Sequence, residues 1–550
     1  MANNAMIQRV VNYFGGDNET KDKVLTEGLV EARKGFDDEK NPKTISEEQL
    51  TSIFADWDKT YSMYYDNNIK KRQGLCINYY QGVQGQYVIG QQDRFSSDNI
   101  IFEATETYIP QATRKNPEPV VSSKKFEIVD IDPTTGEQIV ADTVDMAKSL
   151  TIALNDVADN DGLLSEGKQV VRDWLQKQIG AFMVTYDNDT NKPHIESMDP
   201  LRIEMDANGY VDNKGCFHGL YVKLLCTSTV EELMEEYPKH DKYILETGKG
   251  QLGSTITYSK YYTEKTIFVR LNKVILDIID NPYYVEDENR KFVDSPFNFV
   301  FLTMFNDKKQ PHDNTGLIWQ CIPIQDKLNK INEQIFKNME QANASIRFDP
   351  KMKMTADKAV ATMRALRDGQ SYVIAEQGAF ERITPPVLGA EIYNLRNDLR
   401  NEIKSIYGIF GSTAQGIGQE KTVGGKVITR ELDQSRIGGG ITYQMEQVYD
   451  TVFNWCVQIM ANMMTDQTFI YEGEVTTFSG QNISKPVTIS VKENSLIPRD
   501  PINDAQLAKE MFQMGAIDRQ TLLEMVNFPN VQEVINRQPP MAEAMPAPVQ

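Results

Sequence analysis

The sequence predicts an α+β, multidomain fold. At 550 residues the chain exceeds one compact core and calls for about two to four domains. Residues 124–316 carry short β-like runs separated by turn signals. From residue 317 onwards, apolar residues recur at helical spacing in three long stretches.

Composition narrows the function classes. Hydrophobic residues make up 40% and charged residues 25%, as in ordinary globular proteins. The formal net charge is −20 and the pI about 4.9. Such a chain does not coat nucleic acid or anionic membrane by bulk electrostatics, though it suits a passage along which nucleic acid slides without sticking. Cys76, Cys216, Cys226, Cys321 and Cys456 are scattered, with no C-x-x-C. That spacing predicts a reducing compartment and no disulfide framework. MANNAMIQRVVNYFGG has no signal-peptide pattern, and the apolar run Phe297–Phe305 is far short of a membrane span.

Taken in order, residues 1–95 form a helical region, with an aromatic-rich piece from Trp57 to Tyr80 that packs it onto the body. Asn99–Val121 reads as a helix stopped by Asn116-Pro117, then a proline-stiffened extended segment. Asp145–Ile179 predicts two helices broken at Asp159–Gly162. Strands follow at Ala181–Tyr186, Leu201–Met205, Gly219–Leu225, Ser254–Tyr262, Thr266–Val269 and Lys273–Ile279. Asn208-Gly209 and Asn213-Lys214-Gly215 are among the turns between them, so the sheet is antiparallel.

Residues 317–346 form one long helix whose start Pro323 marks. Its apolar stripe is Ile324, Leu328, Ile331, Ile335 and Met339. Residues 347–388 form a compact insert, with a helix Ala356–Arg367 and a strand Gln370–Ala375. A second long helix, within 389–410, carries Ile392, Leu395, Leu399, Ile403 and Ile406. A glycine-rich loop occupies 411–425. A third helix, within 426–466, carries Ile441, Val448, Val452, Trp455 and Ile459, and Gly438, Gly439 and Gly440 predict a kink in it. Residues 467–497 read as a strand pair and 498–537 as a helical hairpin. Residues 538–550 are a Pro/Ala-rich tail expected to be disordered.

The glycine-rich loop invites a phosphate-binding reading, which its residues resist. A P-loop requires a glycine five positions before the Gly-Lys pair and a hydroxyl after it. Here Glu420 and Val427 stand in those places around Gly425-Lys426. The pattern G-x-G-x-x-G also fails, because Lys421 follows Gly416 and Gly418 where the third glycine belongs. Cys216, His218 and Cys226 offer three soft ligands without a fourth, so a packed strand is the better reading. Asp159–Gly162 does not fit a calcium loop, with Val157 and Lys168 at its ends. No nucleophile or zinc-hydrolase motif occurs. The expectation is a protein that is not an enzyme and needs no cofactor or metal.

The order of sheet-rich domain, long helix, insert, long helix, glycine loop and kinked helix resembles the portal protein of tailed bacteriophages, the head-to-tail connector. Local stretches agree: TGLIWQCIPIQDKLNKIN (Thr315–Asn332), with Pro323 and the run Gln325-Asp326-x-Leu328-Asn329, IKSIYGIFGST (Ile403–Thr413), and SLIPRDPINDAQLAKEMFQMGAIDRQTLLEMVNFP (Ser495–Pro529). Weaker matches lie in Asn99–Val121 and Ser197–Asp206. The resemblance spans about residues 95–535 and rests on element order more than on any one motif.

The resemblance implies a wing (96–316 with 467–497), two stem helices (317–346 and 389–410), a clip (347–388) and a short crown-like hairpin (498–537). It implies a tunnel loop facing the DNA channel through Gly411, Ser412, Thr413, Gln415, Gly416, Gly418, Gln419, Lys421, Gly424, Gly425 and Lys426. Partners so implied are further copies in a homo-dodecameric ring, double-stranded DNA in transit, the terminase large subunit, head-completion and tail adaptor proteins, and major capsid and scaffolding proteins. No membrane partner is implied. The location would be the capsid portal vertex of a virion, after assembly in the bacterial cytoplasm. Two rival readings are another virion neck or connector component, and a nucleotide hydrolase built on residues 411–426.

Overall fold

The computed structural model describes residues 47–65, 69–84, 98–123 apart from 114, 129–131 and 138–140, and 143–303. It further describes 313–348 with gaps at 314 and 343–345, then 380–382, 389–409, most of 441–491, and single positions within 357–364 and 509–523. Residues 1–496 form one compact unit and Ile497–Gln550 a second. The predicted glycine loop, the Gly438–Gly440 kink, the strand Gln370–Ala375, most of the helix Ala356–Arg367, most of the hairpin 498–537 and the tail lie outside the described residues.

The described part of the first unit contains, in order, helices α1 (Glu47–Tyr64), α2 (Lys70–Tyr80) and α3 (Ile100–Ala112), then strands β1 (Pro119–Ser123), β2 (Val129–Ile131) and β3 (Gln138–Val140). Helix α3 starts where the Asn99 side chain accepts a hydrogen bond from the Phe102 N–H. Helices α4 (Thr143–Asn160) and α5 (Leu163–Lys177) follow. The break between them sits at Gly162, whose φ of 62° is left-handed and suits a residue with no Cβ.

Strands β4 (Gly180–Asp187) and β5 (Lys192–Ser197) pair antiparallel, and β13 (Phe299–Leu302) joins the other edge of β4. Both faces of this sheet are covered. Phe182, Val184, Val300 and Leu302 face the main helical core, while Ala181, Met183, Phe299 and Phe301 face a second cluster with Ile203, Val222, Leu224 and Ile267. That two-sided burial explains why Phe299–Leu302 is apolar at every position. β5 and β13 were not among the predicted strands. The first is too polar to show a pattern, and the second alternates nothing.

The second sheet has five antiparallel strands in the order β12-β11-β10-β9-β6. They are β6 (Ile203–Met205), β9 (Val222–Thr229), β10 (Thr255–Tyr262), β11 (Thr266–Leu271) and β12 (Val274–Asp280). The small hairpin β7 (Tyr210–Val211) and β8 (Phe217–His218) precedes β9. The predicted strand Leu201–Met205 is shorter, because Pro200–Arg202 makes a 3-10 turn capped by Asp199. Alternation places Tyr221, Tyr261 and Phe268 on one face with Leu50 and Phe54 of α1. Trp57 stacks flat on Tyr221 with ring centroids 4.3 Å apart, so this part of the aromatic piece packs α1 onto the sheet. Asp58 tightens this contact through Lys223 at 2.9 Å, the Tyr261 hydroxyl at 2.7 Å and Arg270 at 3.3 Å. The opposite face takes the short helices α6 (Val230–Glu236) and α7 (Asp241–Thr247).

Beyond residue 316 come helix α8 (Leu317–Ala342), strands β14 (Ile346–Phe348) and β15 (Phe380–Arg382), and helices α9 (Ala390–Ile406) and α10 (Tyr443–Met463). Helix α10 runs through the main core. Ile441, Val448, Val452, Trp455 and Ile459 are all buried, against β4, β5 and β13. The predicted strand pair after it is a hairpin, β16 (Gln467–Tyr471) with β17 (Glu474–Phe478), plus β18 (Val487–Val491). β18 pairs with β1 instead of its sequence neighbours, with Pro119 opposite Val491. Among the described residues no helix is long and apolar enough to cross a membrane.

Candidate functional site

The pair α8–α9 is the most distinctive feature for function, and its geometry starts from α8. The helix begins at Leu317, so Pro323 lies inside it and not at its start. Proline lacks the N–H that would bond the carbonyl four residues back, at Trp319. Both Pro323 and Trp319 are exposed, so water can meet that carbonyl and the helix continues.

The two helices run antiparallel. At the far end, β14 directly after α8 pairs antiparallel with β15 just before α9, Ile346 opposite Arg382. At the near end, Ile318 and Cys321 of α8 share one buried cluster with Ile403 and Tyr407 at the end of α9. The chain therefore runs out along α8 and returns along α9.

The near end is rooted in the body by apolar and polar contacts together. Leu317, Ile318, Cys321, Ile324 and Leu328 join Leu399, Ile403 and Tyr407 in the main core. Around them runs a chain of buried amides. Gln325 Nε2 donates to the Asp98 carbonyl at 2.7 Å and to Asn329 Oδ1 at 3.0 Å. Asn329 Nδ2 donates to Gln84 Oε1 at 2.9 Å, and Gln84 Nε2 to Asn99 Oδ1 at 2.9 Å. That Asn99 oxygen is the one that caps α3. The Tyr79 hydroxyl donates to Asp326 Oδ1 at 2.5 Å. Thus Gln325, Asp326 and Asn329 each tie α8 to residues 79–99. Linked amides of this kind polarise one another and fix a single arrangement.

Helix α9 is held from its other side by charge. Arg396 reaches Asp98 at 3.3 Å, and Arg400 bonds the same carboxylate oxygen. Lys404 Nζ lies 2.7 Å from Glu103 Oε1. The Thr105 and Tyr407 hydroxyls are 2.9 Å apart.

Away from this root, the predicted stripes lose their cover. Ile324, Leu328, Leu399 and Ile403 are buried, whereas Ile331, Ile335 and Ile392 are half-buried. Leu395, placed in the stripe by its spacing, is 50% exposed. It continues the Leu399–Ile403 row one turn further from the root, where that face of the helix is half open to solvent. Phe336 and Tyr393 are exposed at the same level, 51% and 44%. The Met339 side chain lies outside the described residues, as do the predicted loop residues Gly411–Lys426 and the glycines 438–440.

The soft-ligand trio takes structural places. The Cys216 N–H donates to Asp212 Oδ1 at 2.8 Å, and His218 Nε2 is 3.3 Å from Asp212 Oδ2 while its ring stacks on Tyr210. Burial works to raise the Asp212 carboxyl, but the His218 and backbone bonds outweigh it and hold it low. Cys226 pairs in register with Tyr258. Among the described residues no group of three or more His, Cys, Asp or Glu is placed to hold a metal ion.

Sequence reasoning missed the polar root as a unit. Its signal was the amide-rich run Gln325-Asp326-x-x-Asn329, but its partners Gln84 and Asn99 lie far off in the chain.

No protein-family model and no curated protein matches this chain. Two solved particles contain chains similar to it. One is the neck of an empty gene transfer agent (GTA) particle, at 8% identity and a TM-score of 0.40, covering 79% of this chain and 91% of that one. The other is the virion of a native gene transfer agent particle, at 8% identity and a TM-score of 0.41, covering 82% and 98%. Scores of this size do not establish a shared fold, so the chain stands as an α+β protein with a rooted antiparallel helix pair.

Proposed function

We propose that this chain is the subunit of a phage portal, a ring-shaped DNA channel at the unique capsid vertex through which a genome is packaged and ejected. The observation that carries the reading is the helix–insert–helix arrangement. Two long antiparallel helices rise from a sheet-rich body, and among the described residues the strands β14 and β15 pair beyond their far ends. The root supports the same reading, since it couples the pair firmly to the body through buried amides and ion pairs. The resemblance of Thr315–Asn332 and Ile403–Thr413 to portal stems points the same way.

In this reading the pair is the stem, the insert is the clip that meets terminase and adaptors, and residues 411–425 are the tunnel loop. Copies close head-to-tail into a ring, as a heterologous contact with closing rotation requires. The acidic balance keeps DNA from adhering in transit.

Electron microscopy of the purified chain tests the proposal. Class averages with rotational symmetry and a pore wide enough for duplex DNA are expected. A chain that stays a single copy at every protein and salt concentration overturns it. ATP turnover in the presence of DNA separates the hydrolase rival, and background rates are expected. Replacing Gly424 and Gly425 with proline should leave rings intact but impair packaging, because the loop loses backbone freedom.

A further inference from the structure

The exposed sides of the helix pair carry opposite charge at matching heights. On α8, Lys327, Lys330, Gln334 and Lys337 are all exposed and recur at spacings of three and four, so they form one ridge opposite the buried face. On α9, Glu391, Leu395, Asp398 and Glu402 form a corresponding exposed ridge. Lys337 pairs with Glu333 of its own helix at 2.6 Å. Among the described residues Lys327, Lys330, Glu391, Asp398 and Glu402 form no ion pair within the chain, although Arg396, Arg400 and Lys404 on the neighbouring side of α9 are all engaged.

The helices are antiparallel and packed together, so a step up α8 corresponds to an equal step down α9. Near the root Gln325 of α8 and Arg396 and Arg400 of α9 all bond Asp98, which sets these positions at about one height. Moving away from the root, the lysines of α8 are Lys327, Lys330 and Lys337 and the carboxylates of α9 are Glu402, Asp398 and Glu391. The two ridges therefore overlap in height, and their spacings, three and seven against four and seven, agree to within one residue. Each ridge is about 15 Å long at 1.5 Å per residue.

We propose that the α8 lysine ridge of one copy docks on the α9 acidic ridge of the next. Rotation about an axis along the helix pair preserves height, so residues level within one chain are level between neighbouring copies. The three lysines then meet the three carboxylates, and half-exposed Leu395 is covered by the aliphatic stems beside Gln334. The contact also answers a problem of charge. Copies carrying −20 each repel, and only a surface with local complementarity lets them close. This inference rests on the ring reading above and specifies which faces meet.

The test is charge reversal in the full chain, read by sedimentation velocity and electron microscopy beside the unaltered protein. Lys327→Glu, Lys330→Glu and Lys337→Glu together are expected to weaken ring assembly at least about tenfold, as are Glu391→Lys, Asp398→Lys and Glu402→Lys together. Mixing the two reversed proteins should restore rings of alternating copies, and so should all six changes in one chain. The altered residues are exposed, and restoration by mixing shows that each reversed protein is folded. Assembly of the unaltered chain should also weaken with added salt. Rings formed equally by the unaltered chain and both reversed proteins overturn the docking assignment and leave the ring reading standing. Rings intact in the lysine-reversed protein, with weaker retention of duplex DNA, likewise overturn it and assign the lysines to the channel. An unaltered chain that never forms rings removes the ring reading itself.

Discussion

Leu395 and Leu399 lie one helical turn apart in α9, and any pattern-based reading treats them alike. Their surroundings differ: Leu399 is 6% exposed within the main core, and Leu395 is 50% exposed. Truncating Leu399 to alanine removes buried methyl groups and leaves a cavity among Leu328, Ile403 and their neighbours. Such changes cost about 2–5 kcal/mol. Truncating Leu395 removes a side chain that is half in water and encloses no cavity. Full burial of a leucine is worth about 1.5–3 kcal/mol, so half of it bounds the loss at about 1.5 kcal/mol. Urea unfolding of the unassembled chain, with hydrogen exchange across residues 390–406 to localise the effect, separates the two. Leu399→Ala should lower local protection by about thirtyfold or more, and Leu395→Ala by about tenfold at most. If copies dock as proposed, the ranking narrows in the ring, because the neighbouring copy would cover Leu395. Equal losses in the unassembled chain would refute both the burial difference and the docking surface built on it.

Further outcomes follow from other contacts. Replacing Gly480 with alanine sets a Cβ 1.9 Å from the Met460 carbonyl, a backbone atom that cannot swing aside, so loss of about 1–3 kcal/mol is expected by thermal unfolding. Asp58→Asn removes the anion between Lys223 and Arg270, and α1 should loosen from the five-stranded sheet by about 1–3 kcal/mol, read as faster exchange in residues 47–64. His194 lies 2.8 Å from Asp161. Burial works to lower its pKa, but the Asp161 bond and charge outweigh burial and raise it. The stabilisation is therefore fully present below the ordinary histidine value near 6.5 and is lost as pH rises through the raised value. The stability gap between the unaltered chain and His194→Gln should shrink from pH 5.5 to 8, and a gap that widens contradicts the pairing.

Local features were legible wherever a residue's own neighbours decide its conformation. The break at Gly162 follows from the need for a left-handed residue between two amphipathic helices. The strands from Ser254 to Ile279 follow from alternation and turn residues. The length and stripe of α8 follow from spacing alone, although Pro323 misplaced its start because a proline on an exposed face can be carried within a helix.

Residue order alone suffices for the class of the protein and the succession of its parts. It encodes an acidic, cysteine-poor α+β chain with a sheet-rich body, two long helices around an insert, and a third helix behind a glycine-rich stretch. The pairings between distant segments emerge only in three dimensions. β1 meets β18, β13 meets β4, and Gln84 and Asn99 complete a network begun by Gln325 and Asn329. Packing also selects which half of each stripe is core and which half faces outward. Spacing fixes only the side of a helix on which a residue lies. Whether that side is covered depends on elements hundreds of residues away, and no periodicity within the helix encodes them.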